Sequence, residues 1–350
     1  MEENIQQPRY YLTCVKKMRL LLMIGAILYT YGIFPAFQEE SGVVLGFVFP
    51  ALFIISGYVV LWGGNDIEQR ILRTIKRTAI CFLILLVVYF GLSMLVDVNG
   101  TMKLISSKRF WFDLVVLNVC SLPIGSTIWY VQSLLYAYIV IYFINKFKLL
   151  KFDIYISLIF LAIAVLTGEL SSVIGFDFLG KTYIGGNFFT RALPYILIGR
   201  FIQRNEDYFF KKLSFLKHIL ILVFGIILTV SEYLILTFSG AKLYVGHLFG
   251  MGVIAFAVCL FSFFISSDEI QSVLIGSLSR FELMIPFFVC SPIYYVVCIL
   301  IQLTGDLYGY LKGFVGIITL LLSFAVLYIY AFIRYLLFLF IHRKDGQPTE

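Results

Sequence analysis

The chain alternates long apolar runs with short breaks in which basic residues collect. A helix that crosses a bilayer needs about 20 mostly apolar residues, and most of these runs approach or exceed that length. The pattern predicts helices near 20–37, 43–62, 79–96, 127–145, 154–173, 188–203, 218–238, 247–266, 281–303 and 314–341. Segment 110–125 is apolar but short and carries Asp113, Asn118 and Pro123. It reads as interfacial or re-entrant rather than as a crossing. Segments 97–109 and 174–187 are the sizeable polar interruptions, and no linker rich in Pro, Gly or Ser divides the chain. The expected architecture is therefore all-α and integral to the membrane. It comprises one domain of about ten transmembrane helices over 10–342, with short tails at 1–9 and 343–350.

Composition narrows the solvent to lipid. Sixty-one percent of the 350 residues are hydrophobic and 13% are charged, more apolar surface than a water-soluble chain of this size can bury. The 23 Tyr and 36 Phe suit interfacial belts and hydroxyls facing an interior cavity. The six cysteines show no CxxC or Cys/His spacing, so they read as small buried residues, and no metal site is expected. The first apolar run follows a basic segment but lacks a small-residue cleavage site, and reads as a retained helix.

The net charge of +7 is explained by placement rather than by nucleic acid. With the N-terminus inside, the cytoplasmic segments hold nineteen Lys and Arg and the outer segments six. Ten crossings with both termini cytoplasmic satisfy that bias. The basic side then faces anionic lipid headgroups. Lysine-rich inner loops without a soluble domain fit a bacterial plasma membrane.

Charges inside apolar runs ask for partners, because each costs about 2.5–3.5 kcal/mol on insertion scales. Glu169, Arg191, Glu232, Glu282 and Arg334 are the candidates, and an Arg191–Glu232 pair lining a cavity is one reading of two of them. Of three histidines, His342 belongs to the basic tail and His218 adjoins Lys217. His247, in "YVGHLFGMG", lies at the mouth of a span and is the one placed for proton chemistry, with plain interfacial solvation the alternative. No P-loop, HExxH, GxSxG or dinucleotide fingerprint is present.

Several segments, in order, resemble the acyltransferase-3 family of ten-helix membrane O-acyltransferases. They are "FPALFIISGYVV", "RILRTIKR", "TIWYVQSLLYAYIVIYF", "RALPYILIGRFIQR" and "LSRFELMIPFFVCSPIYYVV", and the likeness spans about residues 10–340. The resemblance implies transfer of an acyl group, most often acetyl, from acyl-CoA as cosubstrate. The acceptor it implies is a hydroxyl of a glycan or lipid-linked saccharide at the cell surface, with polysaccharide-biosynthesis proteins as partners.

In that family the first span carries an arginine and, eleven positions later, a histidine, about 16 Å apart on one helix face. Arg19 fills the first position and Thr30, between Tyr29 and Tyr31, the second; where the ninth span shows His-Pro, this chain has Ser291-Pro292. The resemblance implies that Arg19, with Arg73, Lys76 or Arg77, holds donor phosphate. It implies that Tyr29, Thr30, Tyr31, Ser56, Gly57, Tyr58, Trp129 and Arg191 line the acyl and acceptor site. Neither Thr nor Tyr is a base near neutral pH, so Glu232 or His247 is the candidate base. Ser56-Gly57-Tyr58 is expected to let the second helix approach the first closely, since small residues permit such contact in lipid. The absent histidine also supports a second reading, a non-catalytic relative acting in polysaccharide or lipid export.

Overall fold

A computed structural model describes residues 9–32, 44–61, 66–116, 118, 120–122, 124, 127–167, 188–239, 249–265, 282–303 and 312–344. Among the described residues helix is the only extended regular structure. Among the described residues, six stretches are long and apolar enough to cross a membrane: Ile67–Val96, Ile128–Lys146, Leu149–Leu166, Phe215–Phe238, Glu282–Gln302 and Val315–Leu337. Val48–Val60 and Gly250–Leu260 are shorter apolar helices. The chain separates into two compact units, one formed by 1–38 with 268–350 and the other by 39–267.

In the first unit, α1 (Arg9–Tyr31) packs against α12 (Ile285–Gln302) and α13 (Val315–Lys344). Gly32 ends α1 at φ 75°, the left-handed turn that releases the chain from a helix. A Cβ on Gly316 would lie 1.9 Å from the Gly32 carbonyl oxygen, so α13 meets the end of α1 backbone to backbone. The 3-10 turn Glu282–Met284 precedes α12, and Leu283 packs with Leu327 and Ala331 of α13 and with Leu20 of α1.

The second unit is built around α2 (Val48–Val60), whose every residue is buried. Its broadest contact is with α9 (Leu193–Arg204), and α11 (Phe249–Ile265) also lies against it. The remaining long helices pack in pairs or against these. They are α3 (Ile67–Val96), paired with α6 (Ile128–Lys146); α7 (Asp153–Thr167), against α9; and α10 (Phe215–Phe238), against α11. On α3 the buried positions are Ile71, Thr78, Leu85, Tyr89 and Ser93, one narrow stripe of helical period. Leu83, Ile84, Val87 and Leu95 of the same helix are exposed. The buried stripe of α10 holds His218, Gly225, Thr229 and Leu236, three of them small or polar, while its outward side is aliphatic and aromatic. That is the inverse of a water-soluble helix and suits a lipid solvent.

Two segments differ from the sequence reading. The interruption 97–109 is largely helical: α4 (Val98–Ile105) starts at Asp97, whose Oδ1 accepts the Gly100 N–H at 2.9 Å, and α5 (Lys108–Val115) starts at Ser107. Asx and Ser caps satisfy the free amides of a first turn, which is why these polar residues open helices rather than extend a loop. Eight residues of α5 rise only about 12 Å, well short of a bilayer core. The expected span 188–203 is a broken helix. Short α8 (Phe188–Arg191) and α9 are separated at Ala192, because Pro194 has no N–H to donate into the preceding turn.

The end of α6 carries local strain. Lys148 sits at φ 58°, where a Cβ is disfavoured by about 1–2 kcal/mol and glycine is not. Lys148→Gly is expected to raise thermal stability by a gain of about 1 kcal/mol, measurable by unfolding in detergent. A loss instead would mean that the lysine side chain holds the turn.

Candidate functional site

The first-span residues belong to the first unit. Arg19 is 5% exposed although it is charged, held on the buried side of α1 with Val15, Met18, Leu22 and Met23. Thr30 lies eleven residues on, almost the same angular position on the helix. Its Oγ1 donates to the Ala26 carbonyl at 2.7 Å, the usual fate of a threonine inside a helix. The hydroxyl keeps its lone pairs as acceptors, but its O–H is engaged by the backbone. Tyr31 stacks on Tyr294 of α12, with ring centroids 4.4 Å apart at 24°. One turn earlier on α12 stand buried Ser291 and Cys290, the latter donating its S–H to the Phe287 carbonyl. Tyr29, Thr30 and Tyr31 are half-buried, so hydroxyls and phenols gather at one end of this unit. At its other polar feature, Glu282 Oε1 accepts from Tyr330 and from Arg334 Nη1. The two charges that the sequence marked separately as needing partners are partners of each other.

In the second unit, Arg73, Lys76 and Arg77 lie exposed on the first turns of α3, with Arg73 Nη2 donating to Gln69 Oε1 at 3.4 Å. Ser56, Gly57 and Tyr58 lie inside α2. A Cβ on Gly57 would stand 1.9 Å from the Ile196 carbonyl oxygen, and one on Gly199 would stand 2.0 Å from that of Ile54. Within this unit the close approach allowed by the Ser-Gly-Tyr stretch is therefore to α9. The reason is reciprocal: α9 supplies its own glycine at the crossing. Tyr58 is buried and its hydroxyl donates to Glu206 Oε1 at 2.7 Å. The Tyr138 hydroxyl donates to the Ser56 carbonyl at 3.4 Å.

Beside that crossing lies an ion cluster that the sequence reading passed over. Asp153, with a fully buried side chain, stands 3.5 Å from Arg200 Nε and 3.0 Å from Arg204 Nη2. Its Oδ1 also accepts the Ile154 N–H at 2.8 Å, so it caps the start of α7 while tying that start to α9. The available signal was the pair Arg200 and Arg204, one turn apart on a single helix face.

A second polar group surrounds the start of α6. The Arg191 guanidinium lies over the Trp129 ring, 5.6 Å from its centroid, within cation–π range. Trp129 meets Phe49 edge-on at 4.8 Å. Tyr89 and Thr127 share a hydroxyl–hydroxyl hydrogen bond of 2.6 Å, and Gln132, Ser133 and Asn118 are buried beside them in sequence. Gln132 was legible as a carboxamide within an aromatic span, and sequence reasoning gave it no role. Glu232 Oε2 accepts the Gly250 N–H at 2.9 Å, fastening α10 to the first turn of α11. Of the other candidates, Glu169 and His247 lie outside the described residues.

Among the described residues no group of three or more His, Cys, Asp or Glu is placed to hold a metal ion. The chain is an all-α, multi-pass membrane protein. Compared with known protein families, with curated proteins and with solved structures, it matches none significantly.

Proposed function

We propose that this protein is a polytopic membrane O-acyltransferase. On this reading it moves an acyl group, acetyl in the first instance, from cytosolic acyl-CoA to a hydroxyl of a cell-surface glycan or lipid-linked saccharide. The chain crosses a bacterial plasma membrane ten times with both termini cytoplasmic, as the Lys and Arg distribution favours. The observation that carries the reading is Arg19, a guanidinium 5% exposed on the first helix, with hydroxyl-bearing Thr30 three turns further along the same face. A guanidinium can hold a phosphate in bidentate geometry, and Arg19 stands where the resembling family has its first-span arginine. In the transfer, the acceptor hydroxyl oxygen bonds to the thioester carbonyl carbon. The C–S bond breaks, CoA leaves as thiolate, and the acceptor proton ends on that sulfur or in solvent. Thr30, Tyr31 and Ser291 hold the reacting groups by hydrogen bonds, and none of them serves as the base.

A second reading, a non-catalytic relative in polysaccharide or lipid export, is favoured by one feature. Thr30 stands where the resembling family has histidine, and its O–H is hydrogen-bonded to the Ala26 carbonyl. Acetyl-CoA binding separates the two. The wild type should show a thermal shift on adding acetyl-CoA, worth about 2.7 kcal/mol at a hundredfold excess over Kd. Arg19→Ala should lose it, while Arg19→Lys, which keeps the charge but not the fork, should keep part of it. Absence of any shift in the wild type, with acetyl-CoA and with longer acyl-CoAs, favours the export reading.

A further inference from the structure

Positions 129, 132 and 136 form one stripe on α6, and the short helix α8 covers it. Arg191 lies over the Trp129 ring at one end, and Phe188 meets the Tyr136 ring edge-on at 5.1 Å at the other. Gln132 stands between them and is 0% exposed. Its Nε2 donates to the Leu114 carbonyl and to the Tyr136 hydroxyl, while its Oε1 is buried with no hydrogen-bond partner. The next residue, Ser133, is also fully buried and accepts from Asn118 Nδ2. Asn118 is 3% exposed, and its Oδ1 is the second buried acceptor without a partner. Its backbone sits at φ 59°, a left-handed conformation that costs free energy and persists where the surroundings impose it.

Two buried carboxamides, one next to Ser133 in sequence and one hydrogen-bonded to it, thus turn their N–H groups to the protein and leave their oxygens unmatched. Buried acceptors are matched in the great majority of cases, and each exception asks what is missing. Here the missing partner must be a donor, since both orphans are acceptors. A metal cation would answer, but the Arg191 guanidinium over Trp129, three residues before Gln132, repels one. A neutral ligand that presents several hydroxyls has the right chemistry, and two carboxamide oxygens beside a serine hydroxyl suit it.

We infer that Asn118, Gln132 and Ser133 form a recognition subsite for a polyhydroxylated ligand, a saccharide head group, at the start of α6. The assignment deepens the acceptor half of the proposed function. It rests on that reading for the ligand's biological role, but not for the binding itself.

The test uses the full chain in phosphatidylcholine nanodiscs, which carry no sugar. Trp62→Phe and Trp111→Phe leave Trp129 as the reporting fluorophore. Glucose, galactose and N-acetylglucosamine are titrated separately, with no acyl-CoA present. A saturable fluorescence change with any of the three is expected, weakened about tenfold or more by Gln132→Leu, which removes the acceptor at similar volume. Asn118→Gly, which keeps the left-handed backbone, should weaken it as well. Thermal unfolding checks each variant, and Ser133→Ala stands in should Gln132→Leu fail to fold. No change with any sugar overturns the assignment, and so does a change that survives the substitutions. A Gln132→Leu protein that gains stability while the wild type binds no sugar identifies the gap as a packing defect or an ordered water. Sugar binding without acyl-CoA binding would remove the transferase reading and leave this subsite standing. The reverse pattern would do the opposite.

Discussion

Gly57→Ala is expected to destabilise the protein by about 1–3 kcal/mol or more, although alanine is the better helix former. The added methyl would stand 1.9 Å from the Ile196 carbonyl oxygen and 2.7 Å from its carbon. Both are backbone atoms of α9, so no side chain can rotate away, and the two helices must move apart. Because α2 is buried on every side, that separation disturbs α9 and α11 together. Gly91→Ala in α3 is the matched control, since a Cβ there meets nothing within 4 Å. It should stabilise by up to about 1 kcal/mol through helix propensity alone. Thermal unfolding of the two variants side by side should therefore give opposite signs. Equal shifts would mean that α2 and α9 do not cross at Gly57.

Asp153→Asn is the second large effect, with an expected loss of about 3–5 kcal/mol. The carboxylate side chain is 0% exposed and Arg200 only 18%, so neutralising the acid leaves a guanidinium largely out of water beside an amide. Arg204, at 40% exposed, can turn to solvent, so Arg204→Met should cost clearly less. The double variant Asp153→Leu with Arg200→Met should recover part of the loss, because apolar residues of similar volume often replace a buried pair at little cost. If Asp153→Asn shifts the melting temperature no more than Glu68→Gln on the exposed start of α3, the acid does not hold α7 to α9.

These two effects lie at points that sequence reading treated differently. The Ser56-Gly57-Tyr58 stretch was conspicuous as sequence, since a glycine and a hydroxyl weaken an apolar helix without improving its solubility in lipid. What it packs against was not, because Gly57 and Ile196 are far apart along the chain. Asp153 was inconspicuous: it follows Lys151 at the edge of an apolar run and reads as a solvated loop acid. Only the return of α9, carrying Arg200 and Arg204, takes it out of water. Glu282 and Arg334 fall between these cases, since the cost of a charge in lipid announced the need for a partner but not its identity.

Much of the fold class was already in the one-dimensional pattern. Hydrocarbon satisfies no backbone amide, so a long apolar run in lipid has to be helical, and Lys and Arg in the breaks carry the orientation signal. The face of α3 that turns inward, with Thr78, Leu85, Tyr89 and Ser93 at helical spacing, emerged only with the structure. The helical caps at Asp97 and Ser107 were readable too, but their polarity was taken for a loop. The candidate site was legible only as residue types: Arg19, the hydroxyls after Ala26, Trp129 and Arg191. The sequence by itself determined an all-helical, multi-pass membrane protein and marked which side chains lipid would not tolerate alone. Tertiary structure alone decided that α2 crosses α9 through paired glycines, that Asp153 joins two arginines, and that Gln132 and Asn118 keep unmatched oxygens beside the start of α6. Hydrophobicity is a property of each segment, summed along the chain. Pairing belongs to two surfaces from distant segments, and lipid, equally favourable to every apolar face, does not choose between partners.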